Sequence, residues 1–142
     1  MALTAYADAS VLVPLFIEDP FEERALRFVE LHRPAILLSD FAAAEFASAV
    51  ARRVRMREIG RDAARMAFSS FDAWARFRGP RLQTTTAEVA AADGFLRRLD
   101  LNLRTPDALN IAIAQRHGAA LATFDSRMAE AARALGVEVA AA

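Results

Sequence analysis

The chain has 142 residues, 55% hydrophobic and 25% charged, and its 18 basic and 18 acidic side chains cancel to a formal net charge of zero. That length and balance suit one globular domain, spanning residues 1–142, with a core large enough to fold unaided, and they exclude intrinsic disorder. There is no cysteine, and every basic residue is an arginine. Disulfides, zinc–thiolate sites, iron–sulfur clusters, cysteine nucleophiles, P-loops and pyridoxal aldimines are therefore all excluded. A zero net charge argues against nonspecific coating of nucleic acid. No apolar run reaches the roughly 18–20 residues of a membrane span, and MALTAYADAS has no basic leader followed by a long apolar stretch. A cytoplasmic protein with no membrane partner is the expectation.

In chain order, short β-type segments alternate with helical ones. Ala2 to Ala7 is the first expected strand, followed by helices over about Ser10 to Ile17 and Pro20 to Leu31. Ala35 to Leu38, after Pro34, is the next strand. Helices over Phe41 to Arg57 and Arg61 to Phe77 form a long hairpin in the middle of the chain. Arg81 to Thr84 is a weak strand candidate, then helices are expected at Ala87 to Leu99 and Pro106 to Arg116. Ala120 to Thr123, a helix from Arg127 to Leu135 and a strand at Val137 to Val139 close the chain. Pro20 and Pro106 suit first helical turns, Thr105 and Ser39 or Asp40 suit N-caps, and Gly118 and Gly136 suit left-handed C-terminal caps. Short buried strands separated by helices make βα units, hence a mostly parallel sheet covered on both faces.

In open α/β sheets, ligands bind beyond the carboxyl ends of the strands. Two expected strands run directly into acids, Asp8-Ala9-Ser10 and, after Thr123, Phe124-Asp125-Ser126. Asp107 falls in the first turn of a helix, and Glu45 stands within the apolar run FAAAEFASAV. Asp8 and Asp125 are equally readable as helix N-caps, and Asp107 as a partner of its helix dipole. Glu45 is harder to explain structurally. A buried carboxylate needs a partner, there is no lysine, and the nearest arginines along the chain beyond it are Arg52 and Arg53, so a metal ion is the economical resolution.

The segments YADASVL, SDFAAAEFASAV, RTPDALNIAIA and LATFDSRMAEAARALG resemble the acidic motifs of PIN-domain ribonucleases, and more narrowly those of VapC-type toxins of type II toxin–antitoxin pairs. The resemblance covers nearly the whole chain in the family's order. It implies a PIN-like three-layer α/β/α sandwich, with a mostly parallel sheet of about four or five strands and a protruding helical hairpin. It also implies a metal-dependent endoribonuclease that hydrolyses RNA phosphodiester bonds, neutralised by a cognate VapB-type antitoxin, and a homodimer. The family's catalytic acids carry over onto Asp8, Glu45, Asp107 and Asp125, and its polar helpers onto Ser10 and Thr123. Asn110 departs from the histidine many relatives carry there.

Hard oxygen donors without thiolate or imidazole suit Mg²⁺, with Mn²⁺ able to substitute. Asp8 and Asp107 are the main expected metal ligands, Asp125 completes the shell, and Glu45 orients water or holds a second ion. His32 and His117 fall near helix ends, where an imidazole caps carbonyls. Between Val50 and Arg81 nine arginines stand against Glu58, Asp62 and Asp72. They form either a solvated face or a track for the RNA backbone. Phe68, Phe71, Trp74 and Phe77 spread over about half a helix circumference, more than one core-facing stripe. Packing accounts for most of them, and the remainder suit a dimer or antitoxin surface. The alternative to a nuclease is a catalytically inactive PIN-like module that binds RNA or protein.

Overall fold

The computed structural model describes residues 3–32 and 35–140. The expected contributions of Ala2, Pro34 and the His32 side chain lie outside the described residues. β1 (Thr4–Ala7), β2 (Ala35–Leu37), β3 (Ala120–Ala122) and β4 (Val139–Ala140) form one parallel sheet in the order β2-β1-β3-β4. The weak strand at Arg81 to Thr84 reduces to a single parallel bridge between Leu82 and Ser39. Seven helices among the described residues surround the sheet: α1 (Ala9–Phe16), α2 (Glu22–His32), α3 (Asp40–Arg55), α4 (Arg61–Arg76), α5 (Thr86–Arg97), α6 (Thr105–Arg116) and α7 (Ser126–Ala134). This is the expected α/β sandwich.

β1 sits at the centre because its residues can be buried on both faces: Ala5, Tyr6 and Ala7 are all inaccessible. Parallel strands read in this way as continuous apolar runs. The register Ala7↔Ala122 brings the ends of β1 and β3 level, and Asp8 N donates to Ala122 O at 3.1 Å. Everything that follows the two strands therefore emerges at one edge. α6 is buried all round from Asp107 to Ala114, with two polar side chains, Asp107 and Asn110, among its apolar ones.

Helix boundaries differ from expectation by a residue or two, for local reasons. Arg104, not Thr105, is the N-cap of α6, and Asp107 reaches back to accept from Arg104 N at 2.9 Å. Pro20 stays in the turn before α2, whose entry is fixed by Asp19 accepting from Phe21 N at 2.8 Å. Ser39 is the N-cap of α3, taking the Ala42 N–H at 2.9 Å. Gly118 and Gly136, at φ +61° and +81°, end α6 and α7 in the left-handed conformation that favours glycine. No helix among the described residues is long and apolar enough to cross a membrane.

The three aromatics of α4, Phe68, Phe71 and Trp74, face inward. Phe71 stacks on Phe46 of α3 with centroids 4.5 Å apart, and Phe16 meets Phe46, Phe71 and Trp74 edge-on. Phe68 also meets Phe46 edge-on. Only Phe77, 86% exposed, is left for another surface. The hairpin thus uses its aromatics to hold itself on the domain.

α5 is tied to α6 by a buried carboxylate. Glu88 accepts from Thr85 N at 3.0 Å as a capping box, and Arg116 of α6 donates to both its oxygens at 2.8 and 2.9 Å. Burial alone would raise its pKa, but the bonds from Thr85, the backbone and Arg116 hold it down to about 2. A carboxylate with a depressed folded pKa contributes stability above its ordinary pKa and loses it as the pH falls towards the folded value. Glu88→Gln is expected to cost about 2–3 kcal/mol at neutral pH, because it breaks charge-assisted bonds. It should also flatten the loss of stability between about pH 4.5 and pH 2. Urea unfolding across that range checks both effects.

Candidate active site

Asp8 follows β1 as the N-cap of α1 and is 3% exposed. Its Oδ1 accepts the Ser10 hydroxyl at 2.6 Å and the Ser10 N–H at 3.1 Å, and its Oδ2 accepts the Thr123 hydroxyl at 2.7 Å. Both hydroxyl protons are committed to Asp8, so the 3.2 Å approach of Ser10 Oγ to Thr123 Oγ1 follows from two groups gripping one carboxylate. Each hydroxyl also accepts a backbone N–H from the next segment: Ser10 from Phe124 at 2.9 Å, and Thr123 from Asp125 at 3.0 Å. This lattice locks the ends of β1 and β3 together.

Asp125 caps α7, its Oδ1 accepting from Arg127 N at 2.9 Å and Met128 N at 3.1 Å. The capping reading and the site reading therefore hold together for Asp8 and Asp125, since a cap uses only part of a carboxylate's acceptor capacity. Asp8, Glu45, Asp107 and Asp125 all line one cavity of about 310 Å³, with Ala9, Ser10, Arg104, Pro106 and Met128 completing its wall. Four acids from distant parts of the chain share that space, and the single cation on it is Arg104. Its guanidinium is largely exposed and stays 3.9 Å from Asp107. That leaves a surplus of negative charge.

Glu45 departs from its sequence reading. It is half-buried, and its partner is a neutral amide: Asn110 Nδ2 donates to Glu45 Oε1 at 2.8 Å. Sequence reasoning left Asn110 as a departure of uncertain role. It is in fact a hub, 1% exposed, whose Oδ1 accepts from the Tyr6 hydroxyl at 2.6 Å while Nδ2 also reaches Pro106 O at 3.1 Å. Tyr6 has one proton, and it goes to Asn110. The 2.6 Å contact to Ser39 must then be donated by Ser39. The chain Ser39, Tyr6, Asn110, Glu45 is thus directed, and it fixes the amide with its NH₂ towards Glu45. An asparagine amid apolar DALNIAIA was the available sequence signal.

Burial pushes the Asp8 carboxyl up to about 6, against the bonds from Ser10 and Thr123, and the charge of Glu45 adds to the rise. Glu45 is raised too, by burial and by Asp107, although Asn110 opposes the rise. Burial holds the Tyr6 phenol well above its ordinary range, so it stays protonated. These shifts express burial first, with the charge of the neighbouring carboxylates adding to it.

The donor set fits a hard divalent ion: oxygen only, several carboxylates, and no thiolate or imidazole on the cavity wall. Among the described residues no three acidic or histidine groups already meet at metal-ligand spacing. The carboxylates ring the cavity and do not converge on one point, an arrangement suited to an ion that keeps several waters. Beside this cavity, sharing Ala9 and Glu45 with it, lies a groove of about 660 Å³ lined by Arg52, Arg53 and Arg55. Other arginines of the hairpin are occupied elsewhere, Arg78 over Trp74 and Arg81 over Phe71 and against Asp72.

A parallel β2-β1-β3-β4 sheet with four acids at its carboxyl edge is the arrangement of a PIN domain. The family's model matches residues 5–134, and the chain belongs to the PIN-domain family. Within that family it is of the VapC type. It is 31% identical over 143 aligned residues to Ribonuclease VapC46 of Mycobacterium tuberculosis, an alignment covering 94% of each chain. It superposes with a TM-score of 0.73 on VapC20 of Mycobacterium tuberculosis, described as a sarcin-ricin loop cleaving toxin, at 18% identity over 90% of this chain and 95% of that one. PAE2754 from Pyrobaculum aerophilum aligns with a TM-score of 0.63 at 20% identity, over 92% of this chain and 81% of that one. These two structural likenesses bear on the fold alone.

Two measurements probe the site without substrate. A carboxyl whose folded pKa is raised contributes its stability below its ordinary pKa and loses it as the pH climbs through the folded value. In EDTA, stability is expected to fall by about 2–3 kcal/mol between pH 4 and pH 7 on account of Asp8. Asp8→Asn should remove that slope and melt higher than the parent at pH 7.5. Asn110→Leu leaves the buried Tyr6 hydroxyl without its acceptor and is expected to cost about 2–3 kcal/mol, read by thermal unfolding.

Proposed function

We propose that the protein is a Mg²⁺-dependent endoribonuclease, with Mn²⁺ able to substitute, that hydrolyses RNA phosphodiester bonds in the cytoplasm as the toxin of a VapBC-type pair. The observation that carries this reading is the enclosure of four carboxylates around one cavity that opens onto an arginine-lined groove. A relative named as a ribonuclease supports RNA as the substrate.

Asp8, Asp107 and Asp125 would hold the cation, directly or through water. When bound, a divalent ion there neutralises charge on the scissile phosphate and lowers the pKa of a nearby water. Ser10 and Thr123 hold Asp8 in one orientation on the cavity wall. Arg127 and Met128 N–H groups hold Asp125 Oδ1 and leave Oδ2 available. Glu45 uses Oε1 on Asn110 and takes the proton of the attacking water at Oε2, a task for which a raised pKa suits it. The water oxygen bonds to phosphorus, the bond to one ribose oxygen breaks, and that oxygen leaves with a proton taken from solvent. Arg52 and Arg55 hold flanking phosphates and position the strand without reading its sequence.

A cognate VapB-type antitoxin and a second copy of the chain are the proposed protein partners. The exposure of Phe77, Met66 and Met56 on the helical hairpin supports a protein-facing surface there.

Incubation of the purified protein with total RNA and Mg²⁺ or Mn²⁺ is expected to give discrete cleavage products, and EDTA to abolish them. Asp8→Asn, Asp107→Asn, Asp125→Asn and Glu45→Gln should each lower the rate by about 100-fold or more, given the several kcal/mol that ion and base supply. Undiminished cutting by Asp8→Asn would sink the assignment. RNA binding without cutting by the parent would put the non-catalytic module in its place.

A further inference from the structure

An aromatic pair stands beside the carboxylate cavity and has no part in the chemistry above. Phe21, in the turn between α1 and α2, and Phe124, in the connection from β3 to α7, stack with ring centroids 5.1 Å apart and planes 10° from parallel. The guanidinium carbon of Arg24 lies 5.2 Å from the first centroid and 4.9 Å from the second. Arg24 forms no ion pair among the described residues. We infer that Phe21, Phe124 and Arg24 form a subsite that stacks one unpaired nucleobase of the RNA strand, next to the phosphate held over the carboxylates.

Placement is the first argument, and this inference rests on the proposed ribonuclease reading. Phe124 directly precedes Asp125, which lines the carboxylate cavity. Phe21 follows Pro20, which lines the arginine groove. Pro20 shares that groove with Arg52 and Arg55, so the turn carrying Phe21 borders the proposed path of the strand. Rigidity is the second argument. Phe124 N donates to Ser10 Oγ at 2.9 Å, the same hydroxyl that grips Asp8. Phe21 N donates to Asp19 at 2.8 Å, and Arg53 clamps that turn through Asp19 and the Glu18 carbonyl. A platform fixed before binding costs little ordering entropy when a base arrives.

Exposure is the third argument. Phe124 packs on the central core, but Phe21 stands outside it, 37% exposed, with the guanidinium of Arg24 against it. A pair that served packing alone would bury both rings. Aromatic faces and guanidinium planes are the surfaces on which unstacked RNA bases lie, and every base offers a π-face. The subsite therefore selects for an unpaired base and tolerates its identity.

Fluorescence anisotropy in EDTA, so that nothing is cut, tests this with a short labelled oligouridylate and an abasic ribose-phosphate chain of equal length. Both carry the same charge. The parent protein is expected to bind the oligouridylate about tenfold more tightly, as one stacked base contributes. Phe21→Leu keeps apolar bulk but no π-face. It should bring the ratio near one, without moving the abasic affinity or the melting temperature, and Phe21→Trp should preserve the preference. Equal binding of the two probes by the parent protein, or an undiminished ratio in Phe21→Leu, overturns the subsite. The cleavage assay on total RNA is read separately. Cutting with a ratio of one sinks the subsite alone, whereas a retained ratio without cutting leaves the subsite standing and sinks the ribonuclease reading.

Discussion

A nearly inaccessible carboxylate held only by neutral donors is the constraint around which this molecule is arranged. Asp8 takes two hydroxyl protons and one amide proton, and no guanidinium among the described residues pairs with it. Glu45 likewise has an amide for a partner. Hydrogen bonds of this kind fix position without cancelling charge, so the cavity keeps a negative potential that a paired arrangement would have lost. Burial raises the pKa of both groups, and the uncancelled neighbouring charge adds to the rise. An ion pair at the same place would have made the domain easier to fold and left nothing to attract a cation.

The donors also perform structural work, which explains how such crowding is tolerated. Ser10 and Thr123 each hold Asp8 and accept a backbone N–H from the connection after β3. Tyr6 joins Ser39 at the start of α3 to Asn110 in α6. The polar network is therefore the fastening between central strands and the helices that carry the acids. Glu88 with Arg116 is the contrasting case. There a carboxylate is neutralised by a cation, its pKa is depressed, and it serves only to join two helices.

The arginines divide in the same way. Arg78 and Arg81 lie on aromatic rings of α4 and secure the hairpin, and Arg53 clamps the turn before α2. Arg52 and Arg55 are exposed and line the groove beside Glu45. A run of like charge in the sequence is thus partly structural and partly available to a phosphate backbone. The solvated-face and strand-track readings describe different members of one run.

Much of this was legible without coordinates. Alternation of short apolar runs with longer helical ones predicts a parallel sheet, and acids placed directly after two of those runs predict an edge lined with carboxylates. Glycine caps and the Ser39 cap are local matters of steric and hydrogen-bonding preference, which a single chain segment carries by itself. The last strand, by contrast, is expected at Val137 to Val139 and forms at Val139–Ala140, where it pairs with β3. The partner of Glu45, the pairing of Phe71 with Phe46 and Phe16, and the stacking of Phe21 on Phe124 were not legible. Each joins residues far apart in the chain, and sequence spacing says nothing about which helix faces will meet. Residue types and local geometry were thus determined by the sequence alone; which buried charge stays unneutralised was decided only by tertiary packing, because desolvation and hydrogen-bond partners exist only once the elements are assembled.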